Sequence, residues 1–128
     1  AGVAVCGSVW ACPVCSSKIL GARTAEIQTA IERWLSGGES RSIAMATLTV
    51  GHGPTSRLRW LLEGMSEAFR KLAARRAWKT LRKRYGWAHQ IRALEGRWSA
   101  RTGWHPHFHV LVFLDRGLSP DELADLHG

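Results

Sequence analysis

The sequence has no long hydrophobic run and no signal-peptide pattern. None of its apolar stretches approaches the roughly 18 to 20 residues that a helix needs to cross a membrane, and no charged segment followed by an apolar one opens the chain. These absences predict a soluble, cytoplasmic protein with no membrane partner. The first residue is Ala1 rather than Met, and the stretch before Gly128 has the pattern of a helix start, so we expect a fragment of a longer protein.

Cysteine is also scarce, and all three cysteines lie within residues 1–17. Without an export signal a disulfide framework is not expected, whereas Cys12-x-x-Cys15 is typical of thiolate metal ligands or of a redox pair. We predict a structural Zn²⁺ site of Cys6, Cys12 and Cys15 in a partial zinc-ribbon-like segment. The fourth ligand of a tetrahedral site would be a residue upstream, a histidine elsewhere, or absent. The alternative is that the three thiols are small hydrophobic side chains.

Acidic residues are few beside the basic ones: 10 Asp and Glu stand against 18 Lys and Arg, a net charge of +8 with neutral histidines. A charge of this sign attracts polyanions, because phosphate contacts release the counterions that surround a nucleic acid. The 45% hydrophobic content excludes wholesale disorder and fits one globular domain with its own core. Nucleic acid is therefore the leading class of partner, and a basic protein without such a partner is the alternative.

The spacing of apolar residues predicts a mixture of helices and strands. Ser16 or Ser17 caps the first helix, and Gly37 ends it. The longest predicted helix has a break near residues 73–77, and Ser119 marks the start of the last helix. The predicted elements are a helix over 16–36, a strand over 43–50, a helix over 55–84, a strand over 88–97, a strand from 103 and a helix after 119.

The second half of the long helix is strongly basic and has no acidic residue. Eight of the 18 Lys and Arg fall within residues 70–84, and such cations repel one another unless an anion screens them. Trp78, Tyr85 and Trp87 lie among these cations and could stack on bases, although core packing is the alternative. We favour a phosphate-binding face over a solvated surface. The predicted DNA-binding residues are Arg70, Lys71, Arg75, Arg76, Lys79, Arg82, Lys83 and Arg84.

Three histidines at alternate positions, His105, His107 and His109, lead into an apolar run typical of a buried strand. Residues two apart leave the same face of a strand, so His107 and His109 point the same way with Cα atoms roughly 6.5 to 7 Å apart. Two imidazoles at that separation can converge on one metal ion. Partly buried, hydrogen-bonded histidines are the alternative, but three titratable groups in a row are unusual in a structural core.

A hairpin between the last two strands supplies a third candidate ligand. If these strands pair antiparallel about Arg101, the numbers of facing residues sum to 202, which sets Glu95 opposite His107 and Ala93 opposite His109. A slip of one residue would turn Glu95 to the other face. Two imidazoles and one carboxylate leave open positions on a divalent ion, and this donor set suits Mn²⁺ or Mg²⁺ and is acceptable to Zn²⁺.

Three motifs follow one another along nearly the whole chain: Cys-Gly-Ser-Val-Trp-x-Cys-Pro-Val-Cys at 6–15, Thr-Leu-Thr at 47–49 and Gly-Trp-His-Pro-His-Phe-His-Val-Leu at 103–111. Together they resemble the plasmid rolling-circle replication initiator (Rep) proteins of the HUH endonuclease superfamily, especially the actinobacterial type. The resemblance implies an α+β, ferredoxin-like HUH domain over residues 18–128, preceded by the zinc-ribbon-like segment 1–17. Its core would be a five-stranded central antiparallel sheet with flanking helices.

The resemblance also implies the chemistry. His107 and His109 would bind the catalytic metal, with Glu95 as a third ligand from an adjacent strand. A tyrosine on a later helix would attack single-stranded origin DNA, leaving a 5′-phosphotyrosine and a 3′-OH that primes replication. The only tyrosine here, Tyr85, precedes the histidines and does not match. We therefore expect the nucleophile beyond Gly128, a domain incomplete at its C-terminal end, and a fragment that binds metal and DNA without cleaving.

Two other classes of function fit parts of the sequence. The first is a zinc-stabilised nucleic-acid-binding module without catalysis, in which the histidines are structural. The second is a metal-dependent hydrolase of a small substrate, for which the charge of +8 would be incidental. A binding affinity that falls steeply with salt would argue against the small-substrate hydrolase.

Overall fold

The structure, a computed structural model, describes residues 5–127. The chain divides into two compact units, Ala1–Glu39 and Ser40–Gly128. Residues 1–4, which open the predicted cysteine segment, and Gly128 lie outside the described residues. The predicted division after residue 17 falls inside the first helix, and the assignment of a zinc-ribbon-like segment and an endonuclease domain stays a prediction.

The first unit is built on α1, Pro13–Ser36. The predicted start at Ser16 or Ser17 was wrong. Cys12 is the N-cap, since its backbone is extended and its Sγ accepts a hydrogen bond from the backbone N–H of Cys15 at 3.5 Å, and the proline that follows has its φ preset for a first helical turn. The predicted end was right, because Gly37 caps the helix.

The second unit contains a three-stranded antiparallel sheet in the order β1-β3-β2, with β1 at Ser42–Thr49, β2 at Trp87–Ser99 and β3 at Gly103–Leu114. The central strand is therefore the one that carries the histidines. Helices flank the sheet, which confirms the predicted α+β class with a central antiparallel sheet. Residues 5–127 form three of the five strands that the family resemblance implies.

The register of the β2–β3 hairpin agrees with the predicted one. Glu95 pairs with His107 and Ala93 with His109, while a bulge displaces the pairing only near Trp87, at the far end of the hairpin. On its other side β3 pairs with β1, where Thr47 faces His109. The histidines thus have defined neighbours on both sides.

One face of the sheet packs on α2, Leu58–Ala74. Phe108, Val110, Val112 and Leu114 point to this face and form a buried cluster with Met65 of the helix. Burying an apolar side chain of this size stabilises the fold by about 1.5 to 3 kcal/mol. Because these alternate residues of β3 point to the buried face, the histidines between them point to the opposite face.

The remaining helices are α3, Arg76–Arg84, and α4, Pro120–His127. The predicted break in the long helix is confirmed at Arg75, whose ψ of 140° is extended. Ser119 caps α4 as predicted, because its Oγ accepts from the backbone N–H of Glu122 at 3.2 Å and the Glu122 carboxylate accepts from the N–H of Ser119 at 2.9 Å. No helix within residues 5–127 is long and apolar enough to span a membrane.

Candidate functional site

Three histidines lie in a row on the sheet face that turns away from α2. Between them Pro106 and Phe108 are buried, whereas His105, His107 and His109 are half-buried. This face is defined by its register neighbours, and we call it the histidine face. It comprises His105, His107 and His109 of β3, Thr47 and Thr49 of β1, and Ala93, Glu95 and Arg97 of β2.

His109 is held from both sides. Its Nε2 lies 2.7 Å from Oε2 of Glu95, and its Nδ1 lies 3.2 Å from Oγ1 of Thr47. A neutral imidazole with its proton on Nε2 satisfies both contacts, since it donates to the carboxylate and accepts from the hydroxyl. The ring orientation is therefore set by hydrogen bonds from both neighbouring strands.

Glu95 in turn accepts a hydrogen bond from Arg97, with 2.8 Å between Oε1 and Nε. The hydrogen bond from His109, followed by that from Arg97, lowers the pKa of the Glu95 carboxyl below its usual range. The carboxylate is thus ionised at neutral pH, as a metal ligand must be.

His107 is the third candidate ligand, but its ring lies apart from that of His109. Its ring centroid lies 6.2 Å from that of His109 and 6.5 Å from that of His105. The separation of 2.7 Å between His109 and Glu95 is close to the roughly 3 Å between neighbouring ligands of a small divalent ion. The donor set fits such an ion, provided that the side chain of His107 rotates toward the pair.

The first histidine of the row contacts a residue that the sequence did not single out. The rings of His52 and His105 meet edge to face with 3.8 Å between centroids, and Nε2 of His105 lies 2.5 Å from Oγ1 of Thr102. Burial, then the nearby His52 and His107, lower the pKa of His105. Nδ1 of His52 is buried with no hydrogen-bond partner among residues 5–127. His52 follows a strand in a glycine-rich loop, and no motif spacing marked it.

The turn of the hairpin is tied to that same loop. Gly103 has φ of +77°, and a Cβ at this position would lie 2.9 Å from the carbonyl oxygen of Pro54, so only glycine fits without strain. The hydroxyls of Ser99 and Thr102 are hydrogen-bonded across the turn. The β1–α2 loop and the hairpin therefore hold each other next to the histidine face.

The three cysteines form the second cluster, and the structure brings them together as predicted. Their Sγ atoms all lie within 4.8 Å of one another, with 3.7 Å between Cys6 and Cys15, so the group could hold a metal ion. Among residues 5–127 no other set of three metal-ligating side chains is this close. Hydrogen bonds from the backbone and side chain of Cys15, and from Cys6, lower the pKa of the Cys12 thiol to about 7, which favours the thiolate that binds metals.

The structure divides the basic run into paired and exposed cations. Arg70 and Lys71 belong to α2 and lie 2.7 Å and 3.4 Å from the carboxylate of Glu67. Arg82 donates to the carbonyl oxygens of Trp87 and Ala88 at 3.3 Å each. These contacts give several of the predicted DNA-binding cations a structural task inside the domain.

Of the four exposed cations of α3, three form what we call the α3 stripe: Arg76, Lys79 and Lys83, spaced three and four residues apart on one side of the helix. Lys79 and Lys83 line an open cavity of about 310 Å³. The same cavity reaches Trp87, which pairs with Leu114. Because Leu114 is seven residues along β3 from His107, this end of the hairpin lies roughly 23 Å along the strand from His107.

The chain matches known replication proteins along most of its length. A family model described as "Replication protein", Rep_1, matches residues 2–121. This chain belongs to the Rep_1 family. A protein named "Protein rep" from Streptomyces lividans is 29% identical to the Rep_1 chain over 139 residues, which cover 88% of the chain and 30% of that protein. A protein named "Neomycin resistance protein" from Streptomyces cyanogenus is 28% identical over 137 residues, with 88% of the chain and 31% of that protein covered.

These matches confirm the resemblance to actinobacterial Rep proteins that the motifs indicated. The Rep_1 chain spans less than a third of the length of these curated relatives. No solved structure matches it. The metal-binding role of His107, His109 and Glu95 and the DNA-binding role of the basic residues stay predictions.

Proposed function

We propose that this Rep_1 chain forms the metal-binding and DNA-binding part of a cytoplasmic rolling-circle plasmid initiator. The full-length protein would nick single-stranded origin DNA, form a 5′-phosphotyrosine link and leave a 3′-OH primer. The observation that carries the proposal is the hydrogen-bonded row of Arg97, Glu95, His109 and Thr47 beside His107. Such a row places two imidazoles and one ionised carboxylate on a sheet face that is open to a substrate.

The ligands in this proposal are His107, His109 and Glu95. A divalent ion such as Mn²⁺ or Mg²⁺ bound to them would act as a Lewis acid that polarises the scissile phosphate. With a metal ion bound, His109 would carry its proton on Nδ1 and donate it to Oγ1 of Thr47, so that Nε2, which in the metal-free site contacts Glu95, would be the ligand nitrogen. Outer partners of this kind orient ligating histidines in metal sites.

The charge of the site suits a phosphodiester. Arg97 is 76% exposed while its Nε holds Glu95, so its remaining N–H donors can contact a phosphate oxygen. The α3 stripe supplies a second, more distant set of phosphate contacts. Single-stranded origin DNA is accordingly the proposed partner.

The nucleophile is assigned to the full-length protein outside residues 1–128. No tyrosine follows His109 in the sequence. Tyr85 is only 4% exposed, so its hydroxyl is not presented to a substrate. In the proposed reaction the tyrosine oxygen bonds to phosphorus, the 3′ oxygen leaves with a proton, and no oxidant or nucleotide is consumed.

The test uses full-length protein, labelled single-stranded oligonucleotides from the origin of its replicon, and Mn²⁺. A covalent protein–DNA adduct is expected on a denaturing gel with wild type and with His89→Gln, which replaces a histidine opposite Phe113 near the far end of the hairpin. The adduct should disappear with His107→Ala or with a chelator. No adduct on any origin strand, or an adduct that survives both changes, would refute the nicking function.

A zinc-stabilised nucleic-acid-binding module is the second candidate. The observation that favours it is that the Sγ atoms of Cys6, Cys12 and Cys15 already lie within 4.8 Å of one another, whereas His107 must still rotate to join His109 and Glu95. This candidate predicts salt-dependent DNA binding that needs zinc, is indifferent to Mn²⁺ and gives no covalent adduct, and His107→Ala would destabilise the domain or weaken binding because the histidines are structural. The adduct assay therefore separates the two functions.

A further inference from the structure

We infer that the tip of the β2–β3 hairpin is a base-stacking surface, on which Trp98 stacks against an unpaired base next to the phosphate at the histidine face. The inference rests on the proposed function, because it takes single-stranded DNA as the ligand. It assigns a specific contact to a part of the molecule outside the candidate metal ligands and outside the α3 stripe.

The first observation is exposure. Trp98 is 61% exposed although it sits in a regular strand directly opposite Trp104. It points to the same side of the sheet as Phe108, but lies beyond the buried cluster that α2 covers. An exposed aromatic ring offers a flat apolar surface to a ligand, and the position of Trp98 on the hairpin distinguishes it from the exposed Trp60 of α2.

The second observation is that the ring is presented by a fixed scaffold. The backbone N–H of Thr102 donates to Oγ of Ser99 at 3.1 Å, and Thr102 also contacts His105. Gly103 packs against the loop that contains Pro54. A tight turn therefore fixes the backbone from which the indole projects, so that little backbone freedom is lost when a base binds.

The third observation is charge, and it identifies the partner. Arg97, on the histidine face, and Arg101, in the turn, lie on either side of Trp98 in the sequence and are exposed, and the sequence has no acidic residue from 96 to 114. A ligand that offers both negative charge and flat rings is a nucleic acid with unpaired bases, since bases inside a duplex are already stacked. The tip therefore fits single-stranded rather than double-stranded DNA.

The fourth observation is the short distance between Trp98 and the histidine face. Trp98 pairs with Trp104, three residues from His107, so the two sites are about 10 Å apart along the strand. They face opposite sides of the sheet, but β2 is an edge strand of the three-stranded sheet. A DNA strand on the histidine face can thus pass over this edge and bring a neighbouring base onto Trp98.

The test compares Trp98→Ala, Trp98→Phe and Trp60→Ala in the full-length protein. Trp60 is the matched control, since it is 66% exposed on α2 and has an arginine over its ring, with 5.2 Å from Arg57 to the ring centroid. Affinity is measured by fluorescence anisotropy with a labelled single-stranded origin oligonucleotide and with its duplex, in a buffer without Mn²⁺ or Mg²⁺. Melting temperatures verify that each variant is folded.

We expect Trp98→Ala to weaken single-strand binding by about tenfold, the loss typical of one stacked base, and Trp98→Phe to retain most of the affinity. Trp60→Ala and duplex binding should be unchanged. Wild-type affinity in Trp98→Ala, an equal loss in Trp60→Ala, or an equal loss for the duplex would each overturn the inference. Because the assay contains no Mn²⁺ or Mg²⁺, a failed nicking assay leaves this test intact. An adduct in the nicking assay together with wild-type affinity in Trp98→Ala refutes only the role of Trp98.

Discussion

Glu95 stands directly opposite His107 in the hairpin register, yet its carboxylate contacts the ring of His109, with 2.7 Å between Oε2 and Nε2. The contact is diagonal across the hairpin, and Arg97 holds the other carboxylate oxygen. Diagonal neighbours on one face of an antiparallel pair are within reach of long side chains. Glu95 is therefore bound to the ligand it does not face, and His107 keeps its freedom to turn.

Replacing both histidines of the candidate metal site should abolish Mn²⁺ binding. His107 and His109 are half-buried on the face away from the core, so His107→Ala with His109→Ala should leave the melting temperature nearly unchanged. Isothermal titration with Mn²⁺ measures the effect, and His89→Gln is the control. Undiminished Mn²⁺ affinity in the double variant would rule out this site.

Glu95→Gln should weaken Mn²⁺ binding by about tenfold or more. The amide keeps the shape and one acceptor oxygen but loses the negative charge, and losses of this size follow the removal of groups that bind or orient metal ligands. Glu63→Gln, an exposed glutamate of α2, is the matched control in the same titration. Equal affinity in Glu95→Gln and wild type would mean that the carboxylate is not a ligand.

Reversing the charge of the α3 stripe should weaken DNA binding and flatten its salt dependence. Removing one phosphate-binding cation reduces the slope of log affinity against log salt by about 0.7 for a single strand, so the triple change Arg76→Glu, Lys79→Glu and Lys83→Glu should reduce it by about 2. The control reverses the same number of charges on α1. Its variant, Lys18→Glu, Arg23→Glu and Arg33→Glu, has an identical net charge. If the two variants bind alike, α3 contributes only through its overall charge.

The cysteine cluster should bind one zinc ion per chain. Three thiolates within 4.8 Å of one another provide three of the four ligands that structural zinc takes. Cys12→Ser should lose the ion, as measured with a metallochromic dye after the thiols are blocked. The double variant at His107 and His109 should keep its zinc. Wild-type protein purified without zinc, and unable to take it up, would contradict the prediction.

The pH dependence of stability should include a contribution from Glu122. Its carboxylate accepts from Arg116 at 2.7 Å and from the N–H of Ser119, and these bonds lower its pKa to about 2. Because the pKa is lower in the folded state, the stabilisation is complete above the ordinary value of about 4.5 and is lost as the pH falls toward 2. Glu122→Gln should therefore melt below wild type at pH 7, and the gap should narrow in acid. Asp121→Asn, an exposed neighbour, should have no such gap; a constant gap at all pH values would contradict the assignment.

The hairpin was predictable because its turn and both of its strands lie within one short stretch of the sequence. A glycine-ended turn and alternating side chains fix the register between Glu95 and His107, and the structure has that register. The choice of Glu95 to contact His109 was not predictable, since it depends on where Arg97 holds the carboxylate. Nor was the role of Thr47, because its pairing with His109 joins strands from distant parts of the sequence.

The sequence predicted a cluster of eight cations in residues 70–84, but not which of them have partners inside the domain. Their spacing in the sequence does not distinguish the eight cations. In the fold, Glu67 lies beside Arg70 and Lys71, and backbone carbonyls accept hydrogen bonds from Arg82.

The start of α1 was predicted wrongly for a related reason. Serine is a common N-cap, but here a cysteine Sγ accepts that hydrogen bond.

The two contacts of His109 differ greatly in sequence separation. Glu95 is 14 residues away, within one hairpin, while Thr47 is 62 residues away, on a strand that must be joined across two helices. Closing a longer loop costs more chain entropy, and non-local strand pairing is slow. During folding we therefore expect the hairpin to order first and bring Glu95 to His109, with β1 docking last although it is synthesised first. The histidine row would be assembled in two kinetic stages, and Thr47 would complete the orientation of His109 only when the sheet closes.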